Sequence, residues 1–410
     1  MKTRNNRRKF VLLVGDGMAD YPLEELNGKT PLEVANTPNM DLIASGRIGL
    51  VRTIPSGMEP GSDIANLSLL GYDPLKYHTG RGPLEAAAMG LRLGPGEVAF
   101  RMNLVTLEWA SPAEIIMVSH NSGNLPTPEG SRIIETLKGE IEDPCITIYP
   151  GISFRHLLVW EDGPEAALTL PPHDYLGQNV ASYLNSEDGN PITGFIRKSW
   201  PLLKDHPVNV KRRQEGNLAA NSLWPWGQGR PPHLPLFEKN YGLKGGVISA
   251  VDLLHGIGVY AGFEPVPVEG ATGYLDTNYG GKALEALKAL ERLDFIFLHV
   301  EAPDEASHNG SLKDKIQAIE DIDRKVLGPL LEGLRRFDDY RVMVTSDHLT
   351  PLIKRTHSPE PAPFAWAGKG EIEGNVRPAF FSEEDARKSG LFHEDGHDLL
   401  ESFLLEDRNQ

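Results

Sequence analysis

The fold is decided by the stretch Phe295-Ile296-Phe297-Leu298-His299-Val300, which lies just before Asp304. Two further apolar runs precede an aspartate in the same way: Phe10-Val11-Leu12-Leu13-Val14 before Asp16, and Val342-Met343-Val344 before Asp347. Runs that are so short and so apolar predict strands buried on both faces, which are typical of a parallel sheet. Because parallel strands end at the same edge, we expect the three aspartates to meet where α/β sheets bind their ligands.

Three histidines accompany two of these aspartates: His308 after Asp304, His348 directly after Asp347, and His357 further along the chain. Each pair alone is a weak signal, because a D-x-x-x-H spacing is common on solvated helix faces and an Asp-His pair can simply cap a helix. Together, three carboxylates and three imidazoles predict a site large enough for two divalent metal ions. These ligands suit Mn, Zn or Fe better than Ca, and two such ions about 3.5–4 Å apart are typical of phosphoryl chemistry.

Ser62 is the candidate nucleophile. It follows Gly61 at the start of a predicted helix, where a serine is most often only an N-cap. The same position would direct the unpaired N–H groups and the positive pole of the helix towards any group that the hydroxyl carries. A metal-bound hydroxyl loses its proton readily. A serine beside metals, without a Ser-His-Asp set, therefore indicates phosphoryl or sulfuryl transfer rather than acyl transfer.

The composition is that of an ordinary globular protein, with 410 residues, of which 40% are hydrophobic and 24% charged. The net charge of −16 argues against nucleic acid as the main partner, although a local basic pocket would still bind a small anionic substrate. The single cysteine, Cys145, excludes an intrachain disulfide and suits a reducing compartment. No run approaches the ~20 apolar residues that cross a bilayer, and the basic residues from Lys2 to Lys9 precede too short an apolar core for a signal peptide. We expect a cytoplasmic protein with no membrane partner, and its oligomeric state stays open.

The chain is expected to form two domains. Residues 1–80 and 241–410 alternate strand and helix patterns and predict a discontinuous α/β domain with a parallel sheet. Residues 81–240 contain several strand-like segments and, from Pro164 to Pro235, dense proline. This pattern predicts an inserted, smaller α+β domain with long loops. Insertions of this kind are tolerated at surface loops.

Five motifs carry a family resemblance: Val14-Gly15-Asp16-Gly17, Gly61-Ser62-Asp63-x-Ala65-Asn66, Asp304-x-x-x-His308, Ser346-Asp347-His348 and His357-Ser358. Other segments extend it over nearly the whole chain: Gly71-Tyr72-Asp73-Pro74, Gly80-Arg81-Gly82-Pro83-Leu84-Glu85-Ala86 and Trp226-Gly227-Gln228-Gly229. Together they resemble the archaeal-type 2,3-bisphosphoglycerate-independent phosphoglycerate mutases, which belong to the alkaline phosphatase superfamily. The resemblance implies an alkaline phosphatase-like parallel sheet core with an inserted smaller α+β domain.

The resemblance also implies two divalent metal ions as cofactors, with Mn, Zn, Mg and Co as the candidates. One ion would be held by Asp304, His308 and His357, and the other by Asp16, Ser62, Asp347 and His348. In such a mutase the serine, here Ser62, takes the phosphoryl group of phosphoglycerate, the glycerate reorients, and the group returns to the other hydroxyl. The inserted domain is expected to close over the site and keep water from the phosphoserine.

Basic side chains are expected to bind the substrate, because the fixed fork of arginine suits carboxylate and phosphate groups. The candidates are Arg81, Arg155, His156, Lys244 and His120, with Arg230 and His173 as further possibilities. Lys244 lies next to two glycines at the return to the first domain, where its side chain would reach the metal centre. Most arginines in any protein are solvated, so a surface role is the alternative for each arginine.

One loop departs from the family pattern. After the strand that corresponds to Ile115–Val118, mutases of this branch carry an acidic residue and a Ser-Ala-Gly type loop, whereas this chain has Ser119-His120-Asn121-Ser122-Gly123-Asn124. His120 would then transfer protons between the substrate hydroxyls, since histidine is a general base near neutral pH. The alternatives to a mutase are a metal-dependent homoserine kinase-like phosphotransferase or a phosphatase of the same superfamily, and a non-catalytic binding protein that keeps the fold.

Overall fold

The computed structural model describes residues 8–141, 143–186, 189–374 and 379–405. The chain forms two compact units: one runs to His78 and resumes at His233, and the other is Thr79–Pro232. The basic residues before Arg8 lie outside the described ranges. Within those ranges, no helix is both long and apolar enough to cross a membrane.

The described residues contain these strands: β1 (Lys9–Gly15), β2 (Arg47–Val51), β3 (Glu97–Ser111), β4 (Glu114–Ser119), β5 (Ile146–Tyr149), β6 (Arg155–Glu161), β7 (Ser222–Gly229), β8 (Gly245–Ile248), β9 (Glu264–Pro265), β10 (Phe295–Val300), β11 (Tyr340–Thr345), β12 (Ala362–Gly368) and β13 (Phe392–His393). The α-helices are α1 (Pro31–Val34), α2 (Pro38–Ala44), α3 (Ser62–Leu69), α4 (Pro74–Tyr77), α5 (Arg81–Ala88), α6 (Thr127–Glu140), α7 (Ala181–Leu184), α8 (Pro191–Lys204), α9 (Pro207–Gln214), α10 (Phe237–Tyr241), α11 (Asp252–Ala261), α12 (Tyr279–Ala289), α13 (Ala302–His308), α14 (Leu312–Asp321), α15 (Gly328–Leu334), α16 (Lys369–Ile372), α17 (Glu383–Ser389) and α18 (Leu399–Leu405).

The first unit is built on an eight-stranded sheet in the order β13-β2-β12-β11-β1-β10-β8-β9. β1 lies between β10 and β11 and is parallel to both, and β10 is parallel to β8. Every residue of β1, β10 and β11 is buried. The three apolar runs therefore form central strands buried on both faces, which confirms the predicted α/β class. On the β11 side, β12 is antiparallel to both of its neighbours, β11 and β2.

The strand register brings three strand ends to one level. Gly15 at the end of β1 pairs with Val300 at the end of β10. The residue before Gly15 pairs with Thr345 at the end of β11. Because the three strands run in the same direction, the chain leaves all of them at the same edge of the sheet, and this edge carries the candidate site.

The second unit contains a smaller antiparallel sheet in the order β4-β3-β6-β5, with β7 also paired to β3. β3 has 15 residues and is the central strand, because it pairs with β4, β6 and β7. Apolar residues of the sheet and of α8 form one core, which includes Phe100, Leu158 and Phe195. Antiparallel strands with helices packed against them make this unit an α+β arrangement.

The proline-rich part of the second unit differs from the expectation of long loops. Pro191 and Pro207 each stand at the first position of a helix, after the N-caps Asn190 and His206. Proline suits this position because its missing N–H would be unpaired there in any case. Pro225 lies within β7, a strand that the sequence did not predict, and β7 pairs only with β3 in the described sheet. An edge strand tolerates proline.

Candidate metal centre

Three buried aspartates meet at the carboxyl edge of the large sheet. Asp16, Asp304 and Asp347 are 0%, 3% and 0% exposed. Burial, followed by the charges of neighbouring carboxylates, raises the pKa of Asp16 well above its usual range. Burial also raises the pKa of Glu301, which lies among them, to about 8. The site thus gathers more negative charge than its protein neighbours neutralise.

Backbone and amide donors orient the carboxylate of Asp347. Its Oδ1 accepts hydrogen bonds from the backbone N of Gly17 at 3.1 Å and of His348 at 2.9 Å. Its Oδ2 accepts from Asn66 Nδ2 at 2.9 Å, and Asn66 also donates to the backbone O of Ser62 at 2.8 Å. Asn66 therefore ties the aspartate at the end of β11 to the helix that begins at Ser62.

Gly17 leaves room for a second aspartate. Its φ is 59°, and a Cβ atom there would lie 2.5 Å from Thr350 Oγ1 and 2.7 Å from Asp304 Oδ1. We expect Gly17→Ala to displace the Asp304 carboxylate and weaken Mn²⁺ binding, measured by isothermal titration, by about 10- to 100-fold. Gly28→Ala is the matched control, because Gly28 has a φ of 80° with no atom within 4 Å of the added Cβ. Gly28→Ala carries the same left-handed strain of roughly 1–2 kcal/mol but displaces no carboxylate. Equal Mn²⁺ affinities in the two variants would contradict this account.

The ring of His348 presents an unprotonated nitrogen to the aspartates. Thr350 Oγ1 donates to Asp304 Oδ1 at 2.6 Å and can therefore only accept at its 3.2 Å contact with His348 Nδ1. Burial lowers the pKa of His348 to about 4, so the ring is neutral and carries its proton on Nδ1. Its Nε2 then carries a lone pair. This atom lies 3.3 Å from Asp16 Oδ1 and 3.5 Å from Asp347 Oδ2. A lone pair directed among carboxylates is the arrangement of a metal ligand.

His308 and His357 both lie beside Asp304. Because α13 starts directly after β10, it places Asp304 and His308 one turn apart, as their spacing predicted. His308 Nδ1 donates to the backbone O of Arg355 at 2.9 Å, and its Nε2 lies 3.1 Å from both Asp304 Oδ2 and His357 Nε2. Burial alone would lower the pKa of His308, but the hydrogen bond and charge of Asp304 raise it to about 9. This position therefore favours a positive charge.

The hydroxyl of Ser62 lies at the same place. Ser62 is the first residue of α3, and Gly61 is the N-cap, so the serine side chain does not cap the helix. Ser62 Oγ is 3.2 Å from His348 Nε2, the nitrogen that faces the aspartates. The next residue, Asp63, is buried and lies 2.8 Å from His78 Nε2. The half-buried serine is thus adjacent to the predicted metal ligands.

Two groups of side chains, with no residue in common, are each close enough to share an ion. They are Asp304 with His348 and His357, and Asp16 with His299 and Asp347, with ligand atoms within 4.8 Å of one another in each group. His348 thus lies near both predicted sets of ligands. His299, which the sequence did not predict as a site residue, joins the second group.

The residues present fit divalent cations. Asp16 Oδ1 and Glu301 Oε2 are buried without a hydrogen-bond partner. His348 Nε2 faces carboxylates with a lone pair, since its Nδ1 donates to Thr350. Buried oxygen and nitrogen acceptors therefore outnumber the donors that reach them, and bound cations would satisfy this excess.

A group of basic side chains occupies the second unit. Its members, here called the basic cluster, are Arg81, Arg101, His120 and His173. The Arg101 guanidinium lies 4.3 Å from the ring centre of Trp226, and its Nε pairs with Glu85 at 2.8 Å. The ring of His173 lies 5.2 Å from that of Trp226 and 6.4 Å from that of His120. Burial and the two nearby arginines lower the pKa of His173. The sequence-predicted Arg81 and His120 are therefore close together.

Tight backbone contacts position Arg81 within the basic cluster. Arg81 is the first residue of α5 and is flanked by glycines. A Cβ atom at Gly80 would lie 2.1 Å from Gln228 O, and one at Gly82 would lie 2.2 Å from Ala99 O. The start of α5 therefore rests directly on the backbones of β7 and β3, where only glycine fits.

Arg155 and His156 lie on opposite faces of β6. Arg155 pairs with Asn103, whereas His156 pairs with Met102 of the core, and directly paired residues share a face. Alternation along β3 puts Arg155 on the face of the basic cluster. His156 is 2% exposed, and its Nδ1 accepts from Gly151 N at 3.1 Å. We therefore withdraw His156 from the predicted substrate-binding residues.

Lys244 lies at the opposite edge of the large sheet from the aspartates. It precedes β8, whose first residue, Gly245, pairs with Phe295 at the start of β10. The aspartates follow the other ends of these strands, roughly 20 Å away at about 3.3 Å per residue. The prediction that Lys244 reaches the metal centre is therefore corrected. Arg230 forms a surface ion pair with Glu165 at 2.8 Å.

The site residues that sequence reasoning missed share one signal. His299 stands within the apolar run Phe295–Val300, and Arg101 stands within the apolar run Ala99–Val105. Burying a polar or charged group costs free energy unless it has a partner. A single ionisable residue in a strand predicted to be buried would therefore have identified both positions.

Two family models match the chain. The model described as 2,3-bisphosphoglycerate-independent phosphoglycerate mutase matches residues 44–209. The model described as Type I phosphodiesterase / nucleotide pyrophosphatase matches residues 186–357. The two matched regions together include Ser62, the basic cluster and Asp304.

Curated relatives cover nearly the whole chain. A protein of Geobacter sulfurreducens, described as a probable 2,3-bisphosphoglycerate-independent phosphoglycerate mutase, is 48% identical over 97% of this chain and 99% of its own length. A protein of Methanothrix thermoacetophila, described as a 2,3-bisphosphoglycerate-independent phosphoglycerate mutase, is 49% identical over 96% of this chain and 98% of its own.

Solved structures share the fold. A protein from Pyrococcus horikoshii matches with a TM-score of 0.80 and 32% identity, over 99% of both chains. A structure described as the cofactor-independent phosphoglycerate mutase from Thermoplasma acidophilum matches with a TM-score of 0.63 and 24% identity, over 97% of this chain and 99% of its own. At this lower identity the second match supports the fold alone.

Proposed function

The chain belongs to the 2,3-bisphosphoglycerate-independent phosphoglycerate mutase family, and we propose that it interconverts 2- and 3-phosphoglycerate through a phosphoserine at Ser62. The observation that carries this proposal is the Ser62 hydroxyl, which lies 3.2 Å from His348 Nε2 beside buried carboxylates. The substrate would be a small phosphorylated anion. A cytoplasmic location is part of the proposal, because phosphoglycerates are intermediates of central metabolism inside cells.

Two divalent cations complete the proposed site. Asp304, His308 and His357 would hold one cation, and Asp16, Ser62, Asp347 and His348 would hold the other. Mixed carboxylate and imidazole ligands favour Mn or Zn, with Mg and Co as alternatives. When bound, the cations would favour the deprotonated serine hydroxyl and neutralise charge on the transferred phosphoryl group. The unprotonated Nε2 of His348 and the unpartnered Oδ1 of Asp16 support this assignment.

The proposed reaction has two steps that mirror each other. Deprotonated Ser62 Oγ bonds to phosphorus while the ester bond from phosphorus to the glycerate oxygen breaks, and this oxygen takes a proton from the protonated ring of His120, which becomes neutral. After the glycerate has reoriented, His120 accepts the proton of the other hydroxyl, whose oxygen attacks the phosphoserine and frees Ser62. Burial lowers the pKa of His120, so the ring gives up its proton readily. Asn66 holds the Ser62 backbone by the 2.8 Å hydrogen bond described above.

The basic cluster is the proposed binding site for the carboxylate of the substrate. Arg101 is stacked on Trp226 and keeps Glu85 as a fixed partner, so its fork of donors is held in one orientation. Arg81 is held by the glycines on either side, and Arg155 lies on the same face of the sheet. We therefore propose Arg81, Arg101 and Arg155 as the substrate-binding arginines.

Arg101→Lys is expected to raise KM for 3-phosphoglycerate by about 10- to 100-fold. Lysine cannot form two parallel hydrogen bonds or stack as arginine does, and one charged hydrogen bond is worth roughly 1.5–3 kcal/mol. The measurement is steady-state kinetics, with bound metal checked by elemental analysis. Arg230→Lys is the control, because Arg230 pairs with exposed Glu165, and its KM should stay within about twofold of the parent. An unchanged KM in Arg101→Lys would remove Arg101 from the substrate-binding set.

A coupled assay tests the proposed reaction. The protein is supplied with 3-phosphoglycerate and no bisphosphoglycerate primer, and 2-phosphoglycerate is detected through enolase. Parallel reactions measure free phosphate, for the phosphatase alternative, and ATP-dependent phosphorylation of homoserine, for the kinase-like alternative. Conversion to 2-phosphoglycerate that exceeds phosphate release supports the mutase proposal. Turnover of homoserine alone would support the kinase-like alternative instead. The names of the full-length relatives favour the mutase.

A further inference from the structure

His299 contacts Asp16 of the proposed metal centre. The neighbours of the ring determine which of its nitrogens carries the proton. We infer that His299 is a positioning residue: its Nε2–H donates to Asp16 Oδ2 and fixes that carboxylate, and the ring does not bind the cation itself. This inference rests on the proposed cation at Asp16. It removes His299 from the group of potential ligands that lie close enough to share an ion.

The hydroxyl of Ser249 sets the proton position on His299. Ser249 Oγ accepts a hydrogen bond from the backbone N of Val251 at 2.9 Å. The same oxygen lies 3.3 Å from His299 Nδ1, and no other acceptor for the serine proton occurs among the hydrogen bonds of the described residues. A neutral imidazole that accepts at Nδ1 carries its own proton on Nε2. That Nε2 lies 2.9 Å from Asp16 Oδ2, the distance of a hydrogen bond to a carboxylate.

His348 shows the opposite arrangement at the same carboxylate. There the Thr350 hydroxyl donates to Asp304 and accepts from His348 Nδ1. The Nε2 atom of His348 therefore carries a lone pair. The two rings therefore interact differently with the two carboxylate oxygens of Asp16. His299 occupies Oδ2 with a donor, while Oδ1 has no hydrogen-bond partner and lies 3.3 Å from His348 Nε2. Asp16 is thereby left with one oxygen directed to a cation.

The backbone of His299 is also held in place. His299 is the fifth residue of β10 and is 0% exposed. Lys282, which is fully buried in α12, donates from Nζ to the backbone O of His299 at 2.9 Å. A ring fixed by the sheet, by a buried lysine and by a serine hydroxyl has little freedom to turn. Such outer partners orient metal ligands and typically change metal affinity by about 10- to 100-fold.

The tautomer is tested directly by nitrogen NMR. Protein labelled with ¹⁵N-histidine is recorded without metal and after loading with Zn²⁺, and the His299 signals are assigned from their loss in His299→Gln. We expect a proton on Nε2 and none on Nδ1 in both samples. A Zn²⁺-loaded sample whose Nε2 has lost its proton would overturn the inference, because the ring would then be a ligand.

Metal affinity provides an independent test. His299→Leu removes the donor and should weaken binding of the more loosely held Zn²⁺ ion by about 10- to 100-fold, measured by competition with a fluorescent chelator. His299→Gln can place an amide N–H where Nε2 was, and its affinity should return to within about fivefold of the parent. His255→Leu is the control: its ring contacts only the backbone O of Ser249 among the hydrogen bonds described, so affinity should not change. Equal weakening by Gln and Leu would overturn the inference.

Different results would refute the proposed cations and the proposed role of His299. If elemental analysis finds no bound divalent ion in the parent protein, the proposed cations are refuted, while the metal-free tautomer still tests the hydrogen bond from His299 to Asp16. If two ions bind but the affinity of His299→Leu equals that of the parent, the cations stand and the positioning role is refuted. Circular dichroism confirms that each variant is folded. The NMR measurement is made on the parent protein, and a variant is needed only to assign the His299 signals.

Discussion

Ser62→Ala is expected to lower mutase turnover by about 10⁵-fold or more, to the background of the assay. Removal of a nucleophile that acts together with its surrounding groups typically costs rate factors of roughly 10⁶. Binding of the cations should survive in part, because Asp16, Asp347 and His348 keep their positions through hydrogen bonds that do not involve the serine side chain. Turnover is measured by the enolase-coupled assay, and phosphoserine by mass spectrometry of acid-quenched protein.

The chain provides a matched control on the same helix. Ser68 is a second serine in α3 and is buried, and its Oγ donates to the backbone O of Thr53 at 2.6 Å. Ser68→Ala should destabilise the protein by about 1 kcal/mol and leave turnover within about twofold. The nucleophile assignment is abandoned if Ser62→Ala still forms 2-phosphoglycerate, or if phosphate is found on another residue of the parent protein.

Removal of divalent metal is expected to abolish turnover and to lower the melting temperature together. Without cations, burial and then the charges of neighbouring carboxylates disfavour the ionised form of Asp16, and both raise its pKa. A cation at 100 to 1,000 times its Kd stabilises the folded state by about 2.7–4.1 kcal/mol. Activity and melting temperature are measured after dialysis against a chelator and again after Mn²⁺ is restored. Full activity in protein shown by elemental analysis to hold less than one ion per ten chains would remove metal from the mechanism.

The metal-centre prediction depended on short-range pattern and on one topological rule. An apolar run of three to six residues followed by an aspartate specifies both a buried strand and the end from which the carboxylate projects. The same rule, applied to Lys244, would have placed it correctly, since a residue that precedes a parallel strand lies at the opposite edge. The period-two alternation of strands likewise separates Arg155 from His156.

The basic cluster was only partly predictable because tertiary pairing creates it. Arg101 and Trp226 are adjacent through the pairing of β3 with β7, and β7 contains a proline, which argues against a strand in a sequence-based prediction. His299 was missed for a different reason. Its strand was predicted correctly, but its role depends on Ser249 and Asp16, which are 50 and 283 positions away in the chain.

The order of strands in the large sheet also constrains how the chain is made. β1 is made before both of its neighbours, β10 and β11, and Asp347 is 330 positions away from its donor Gly17. Closing loops of such length is slow. Until β10 and β11 have been made, the apolar residues 10–14 lack their strand partners, and we expect the proposed metal site to assemble only after the segment that carries Asp347 has been made.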